Sequence, residues 1–187
     1  GTEMEVKEEG SCWISDVQED LEIDGKFVLK NPLTPSSDSL EQAAVASAHY
    51  TAPWENLEGI QDSDFEPASS DEGMGKGWGN WQQQEGAECW LAYTWAKPVT
   101  LNTCDLYWYD DGGDTGIPES FFLEYLDEKN QWRKAVIKED WREALKKNQY
   151  NRITLEPVTT TQLRLVMTVA QGKQAVGVYR WKVSEQR

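Results

Sequence analysis

The sequence predicts an all-β chain: an antiparallel β-sandwich, a jelly roll of about eight strands. Two patterns and one scarcity carry that expectation. Apolar residues alternate at period two in Leu91/Tyr93/Trp95, in Ile153/Leu155 and in Leu163/Leu165/Met167/Val169, the repeat that puts every second side chain on one face of a strand. Turn-forming residues punctuate the chain at short intervals, as in "DEKN" after Leu126, which reads as a hairpin turn. Helical character shows only in one short stretch, "EDWREALKK" at 139–147.

Strands are expected near 44–52, 88–95, 103–109, 120–126, 131–137, 151–156, 161–169 and 176–183. Residues 1–42 read as a linker or N-terminal extension, acidic and irregular, with short strands such as "KFVLK" before the turn-rich "NPLTPSSDS". The sandwich is expected over 43–187, and 187 residues are ample for a packed core. No internal repeat appears.

If successive strands run up and down, their connections alternate between two rims. The connections 53–87, 110–119, 138–150 and 170–175 then share one rim, while 96–102, 127–130 and 157–160 share the other. The first rim gathers Trp54, Trp78, Asn80, Trp81, Asp110, Asp111 and Asp114. Its longest connection, 53–87, far exceeds the usual ~4–6 residues, and loops of that length are typically functional or disordered. Three tryptophans argue for order. This rim is the expected site.

Composition removes several function classes. A formal net charge of −15 opposes nucleic acid and anionic membranes, both of which need a basic footprint. No apolar run approaches the ~20 residues of a membrane span, and no leader is visible, although a chain starting at Gly1 reads as a piece of a longer polypeptide. His49 is the only histidine, so a histidine-based triad or a multi-histidine metal site cannot be built. Cys12, Cys89 and Cys104 fit no metal spacing, and a Cys89–Cys104 bridge stays open. "GMGKGWGN" lacks the strand–loop–helix setting of a phosphate cradle. Asp110, Asp111, Asp114 and Glu119 could formally serve a two-carboxylate glycosidase, an unspecific signal on a chain with 33 carboxylates.

The stretches "ASAHYTAPWENLEGIQD", "WGNW", "DLYWYDDGGDTGIPESFFLEY", "YNRITLEPVTTTQLRLVMT" and "GVYRWKV" resemble the discoidin-like (coagulation factor V/VIII type C-like, galactose-binding-like) domains appended to bacterial glycoside hydrolases. The likeness covers roughly 43–183. It implies an eight-stranded jelly roll without catalysis of its own, a glycan partner, and a parent enzyme whose catalytic domain does the chemistry. It also implies an extracellular, periplasmic or cell-surface location.

Sugar chemistry suits the rim. An aromatic ring stacks on the apolar C–H face of a sugar, while Asp, Asn or Gln side chains fix its hydroxyls. Trp78, Asn80 and Trp81 offer both kinds of group within four residues, Gly79 permits a tight turn between them, and Asp110, Asp111 and Asp114 would face them with Tyr109 as a second platform. The competing expectation is structural: one of Trp78 and Trp81 plugs the end of the core, and Trp54 packs inside. Trp90, Trp95, Trp108 and Trp181 are expected in the core or on sheet faces, and Trp132 and Trp141 at the sandwich edge.

The resemblance further implies a structural calcium held by a loop Asp, backbone carbonyls and a glutamate of the final strand, all oxygen donors. Asp62 in "IQDSD", with Asp64 and Glu66 nearby, supplies the loop end, but "GVYRWKV" puts Arg180 where the glutamate is expected. Guanidinium only donates hydrogen bonds, so Arg180 is expected to replace the ion and pair with Asp62 or Asp64. Two functions remain: a carbohydrate-binding module, or a non-binding accessory domain that packs against the parent's catalytic domain.

Overall fold

The alternation in the sequence becomes eight strands in the computed structural model, which describes residues 39–185 and, ahead of them, the backbone of four two-residue strands. Those four are β1 (Glu5–Val6), β2 (Cys12–Trp13), β3 (Glu22–Ile23) and β4 (Phe27–Val28), paired antiparallel as β1–β2 and β3–β4. The chain divides into two units, 1–34 and 35–187. Most of the expected extension 1–42 lies outside the described residues. Its last residues belong with the strands: Leu40 donates its N–H to the Val183 carbonyl at 2.9 Å, and the buried Glu41 carboxylate accepts from the Val183 N–H at 2.9 Å.

The eight strands are β5 (Val45–Ala48), β6 (Trp78–Gly79), β7 (Glu88–Tyr109), β8 (Thr115–Gly116), β9 (Ser120–Leu126), β10 (Trp132–Lys134), β11 (Asn151–Thr168) and β12 (Ala175–Ser184). The expected antiparallel fold is present, with one short parallel pairing between β8 and β12. One layer runs β10–β9–second half of β11–first half of β7–β5, and the other runs first half of β11–second half of β7–β12–β6.

The segments 96–102 and 157–160, expected as turns, are strand. Val99, Thr100 and Leu101 pair with Thr160, Thr159 and Val158, and the β7–β11 register slips on both sides of that patch. These slips bend the ladder, so two long strands cross from one layer to the other. The inward set changes parity at the corner, from Leu91, Tyr93 and Trp95 to Cys104, Leu106 and Trp108. Pro98 cannot donate to a ladder, and a corner tolerates that loss.

Two other expectations are corrected. The helix at 139–147 is a single 3-10 turn, Trp141–Ala144, capped by the Asp140 carboxylate. A stretch so short gains too few hydrogen bonds to offset nucleation. Tertiary bonds decide its course: the buried Trp108 indole donates to the Ala144 carbonyl at 2.6 Å. The strand expected at 131–137 ends at Lys134, after which the chain crosses to bridge Ile137 with Leu155. The "DEKN" hairpin is present, with Asn130 at φ 57°.

Tyr93 of one layer stacks on Trp181 of the other at 4.4 Å, and Trp108 meets Phe121 at 5.8 Å. The Tyr93 hydroxyl also donates to the Trp181 carbonyl at 2.9 Å. Cys89 and Cys104 are free, buried thiols, which settles the open question of a bridge. Burial pushes both up to about 12, so neither ionises at neutral pH.

Trp181→Ala is expected to lower unfolding stability by about 3–5 kcal/mol in urea denaturation, the range for deleting a buried large aromatic. A loss below about 1 kcal/mol would mean that the layers do not meet at that ring.

Candidate functional site at the loop rim

The long connection between β5 and β7 is fastened at several points. Trp78 is fully buried, and its indole donates to the Tyr50 carbonyl at 2.9 Å. Trp78 and Gly79 pair with Val178 and Gly177 of β12. Where the β6 backbone ladder stops, the buried Asn80 continues it with its side chain: Oδ1 accepts from the Val176 N–H at 2.8 Å. A Cβ on Gly77 would come within 2.5 Å of the Val178 carbonyl, so this segment presses directly on β12.

A second aromatic cluster, Tyr107, Tyr109 and Tyr179 with Phe65 and Tyr150 against it, holds the rest of the loop. Tyr179 stacks on Tyr109 at 4.6 Å; its hydroxyl accepts from the Glu72 N–H at 2.7 Å and donates to the Gly73 carbonyl at 3.1 Å.

All four connections assigned to one rim meet there. Ser70 exchanges bonds with Asn148, and Asp110 N–H donates to the Ser70 carbonyl. The buried Asp110 carboxylate lies 2.7 Å from Lys147 Nζ and 3.8 Å from Lys173 Nζ, and accepts from the Gly112 N–H at 2.9 Å. Burial works against its charge, but Lys147, the Gly112 N–H and Lys173 outweigh it and hold the carboxyl below its usual value.

Trp81 behaves differently from Trp78. It is half-buried and packs against Trp54 with ring centroids 5.3 Å apart, tilted by 50°. Trp54, expected to be structural, is 44 % exposed. The Trp81 indole N–H points toward Asp114 Oδ2 at 3.4 Å. Two clefts share this ring pair. One, of about 180 Å³, is lined by Trp54, Glu55, Trp81, Tyr109, Asp111 and Asp114, among others. The second, of about 360 Å³, is lined by Tyr50, Pro53, Trp54, Trp81, Gln82 and Gln83. Of the five large hydrophobic side chains exposed among the described residues, Tyr50, Trp54 and Met74 line these clefts.

The expected residues therefore separate. Trp81, Asp111, Asp114 and an edge of Tyr109 line the first cleft, whereas Trp78, Asn80 and Asp110 are buried and hold the loops together. Asp111 Oδ1 accepts from the Gly113 and Thr115 N–H groups, which shapes its own loop and leaves Oδ2 for other partners. Glu55 was not anticipated. Partial burial, together with the field of Asp111, raises its carboxyl pKa against the opposing Gly75 N–H. The signal for it was present in "PWENL", a loop indole with a carboxylate beside it.

The loop near Asp62 does not fit a calcium ion. Asp62 Oδ1 accepts from the Asp64 N–H at 2.9 Å in a local turn, and both residues are exposed. The two Glu66 oxygens are taken by Lys182 and Tyr150 at 2.5 Å each. Arg180, 2 % exposed, lies opposite Tyr107 and makes no ion pair with Asp62 or Asp64, correcting that expectation. Its charge acts instead on Glu66 and Tyr150. Among the described residues no group of three or more His, Cys, Asp or Glu is placed to hold a metal ion. A fixed cation stands where an acidic ligand would be needed.

No family model matches the chain. Solved structures do. A chain from the Streptococcus pneumoniae beta-galactosidase BgaA superposes with TM-score 0.62 at 16 % identity, covering 76 % of this chain and 92 % of that one. The family 32 carbohydrate-binding module of C. perfringens NanJ, solved with galactose, gives 0.57 at 11 % identity over 80 % and 98 %. Chitosan-binding module 1 of a Paenibacillus sp. IK-5 chitosanase/glucanase gives 0.54 at 14 % identity over 79 % and 98 %. The fold is that of the discoidin-like modules. At these identities the likeness concerns the sandwich, and the cleft residues stand on their own geometry.

Two outcomes test the loop. The melting temperature is expected to change by less than about 2 °C between chelator and millimolar calcium, against the ~5–10 °C a structural ion at a hundred times its Kd would add. Because the folded Asp110 pKa is depressed, its contribution to stability is present above the unfolded value and lost as pH falls through the folded one. Denaturation midpoints of the wild type should therefore fall below about pH 4, and Asp110→Asn should remove part of that slope while lowering stability at pH 7.

Proposed function

We propose that the chain is a non-catalytic carbohydrate-binding module that keeps a parent glycoside hydrolase close to its glycan outside the cell. The observation that carries this reading is the half-exposed Trp54–Trp81 pair beside free carboxylates in a rim cleft. The indoles take the C–H face of a sugar, and Glu55, Asp111 and Asp114 accept from its hydroxyls. Trp78, Asn80 and Asp110 act one step back, by fixing the loops that carry those groups. Tyr109 offers an edge, since its face is covered by Tyr179.

The neighbours support the class. One neighbour was solved in complex with galactose, another is the chitosan-binding module of a chitosanase/glucanase, and a third is a module of a family 31 glycoside hydrolase. Among the described residues no helix is long and apolar enough to cross a membrane. A tethered module raises the local concentration of its enzyme on a glycan, so modest affinity suffices. Among the described residues no Lys, Arg or His lines the carboxylate cleft, so the site disfavours uronic acids and sulfated sugars and admits neutral or amino sugars.

On a glycan array read with intrinsic Trp fluorescence, neutral or amino glycans are expected to bind and acidic ones to stay silent. Trp81→Ala should weaken binding on the order of 30-fold, the equivalent of an aromatic anchor worth about 2 kcal/mol. Silence toward every glycan would leave the accessory-domain reading, in which the exposed Tyr50, Trp54 and Met74 are covered by the parent's catalytic domain.

A further inference from the structure

The Trp54–Trp81 pair is not the back wall of one pocket. Two clefts share both rings, and the larger of them has no part in the site as proposed from the carboxylates. We infer that these are adjoining subsites and that the module binds an oligosaccharide of two or more units threaded across the indole pair, not a single terminal sugar. This deepens the binding reading above and rests on it.

The two sides differ in chemistry in the way neighbouring units of one chain require. The smaller cleft presents the carboxylates Glu55, Asp111 and Asp114. The larger presents the amides of Gln82 and Gln83 and the 42 % exposed Tyr50 ring, groups that both donate and accept without charge.

Both sides are held by backbone. Gln83 donates its N–H to the Gln174 carbonyl at 2.7 Å, and the Gln174 N–H donates to the Asp114 carbonyl at 2.9 Å. The amide side and the acid side are thus braced against the same residue of the 170–175 connection. A ligand crossing the rings meets a surface already shaped, which limits the ordering it must impose. The tilt of 50° between the indoles gives two planes, and successive units of a glycan chain are themselves turned relative to each other.

The test is isothermal titration with glucosamine and β-1,4-galactose series of one, two and four units, preceded by an array carrying glycans of every length. Affinity is expected to rise at least tenfold from one unit to two, beyond the statistical factor of two for a dimer. A Tyr50→Ala/Gln83→Ala double variant should return the longer ligands to the affinity of the monomer without changing the monomer, whereas Asp111→Asn should weaken every length. Length-independent affinity, or a double variant that binds oligomers as the wild type does, overturns the two-subsite inference and leaves the binding module standing. Should no sugar of any length bind, and Trp81→Ala change nothing, the binding function itself falls and the inference with it. Circular dichroism and melting of each variant separate loss of a contact from loss of the fold.

Discussion

One side-chain bond fixes the backbone beside the cleft-lining Trp81 ring: the Asn80 carbonyl on the Val176 N–H. The β6–β12 ladder is two residues long, too little to hold a connection as long as 53–87 by backbone alone. Asn80 adds one more rung without requiring the backbone to stay extended. A buried hydrogen bond of this kind contributes about 1 kcal/mol, and leaving the Val176 N–H unpaired would cost somewhat more. The fully buried Trp78 adds the hydrophobic part, a few kcal/mol by area. With positions 78 and 80 fixed inward, position 81 must face out. The site's first ring is thus placed by its neighbours' burial.

The acidic surplus has a distribution that matters more than its size. Near the rim, Lys147 and Lys173 are committed to Asp110, and Lys173 Nζ also donates to the Gly113 carbonyl at 2.6 Å. Both cations thereby neutralise the buried carboxylate and brace the turn that follows it, leaving Asp111, Asp114 and Glu55 without a counter-ion among the cleft residues. Lys182 is likewise paired with Glu66 beneath the long loop, where the buried charge of Arg180 also acts on Glu66 and Tyr150. Cations hold the scaffold together, and anions line the cleft.

Much of this was legible in the sequence, because it follows from period and parity. Alternation in β7 and β11 pointed to the sandwich, and counting connections gave the shared rim. The same counting could have resolved "WGNW": in an extended segment residues 78 and 80 share one face and 81 takes the other, so burial of the first indole implies exposure of the last. Treating the motif as loop hid that. The corner at 96–102 and 157–160 was illegible for a different reason. Pro98 and the polar threonines there look like turn residues, and only the pairing of two distant segments reveals that a bulged ladder runs through them. In "PWENL" the residue types at Trp54 and Glu55 were legible, but their exposure was not, because the course of that loop is set by bonds from Ala52 and Asn56 to the distant Gly79 and Gly77.

The separation between holding residues and facing residues also sets what substitutions can do. A change at Trp78, Asn80 or Asp110 alters the positions of Trp81, Asp111 and Asp114 together, so affinity and stability should fall in parallel. A change at Trp81, Asp111 or Glu55 removes a contact from a surface that the rest of the rim still shapes. Since the four connections are cross-tied through Ser70–Asn148, Asp110–Lys147 and Gln83–Gln174, the clefts need little reorganisation to receive a ligand. On the proposed binding reading, specificity depends on which groups stand at the indole pair, and the same sandwich can present different chemistry by changing only the loop tips.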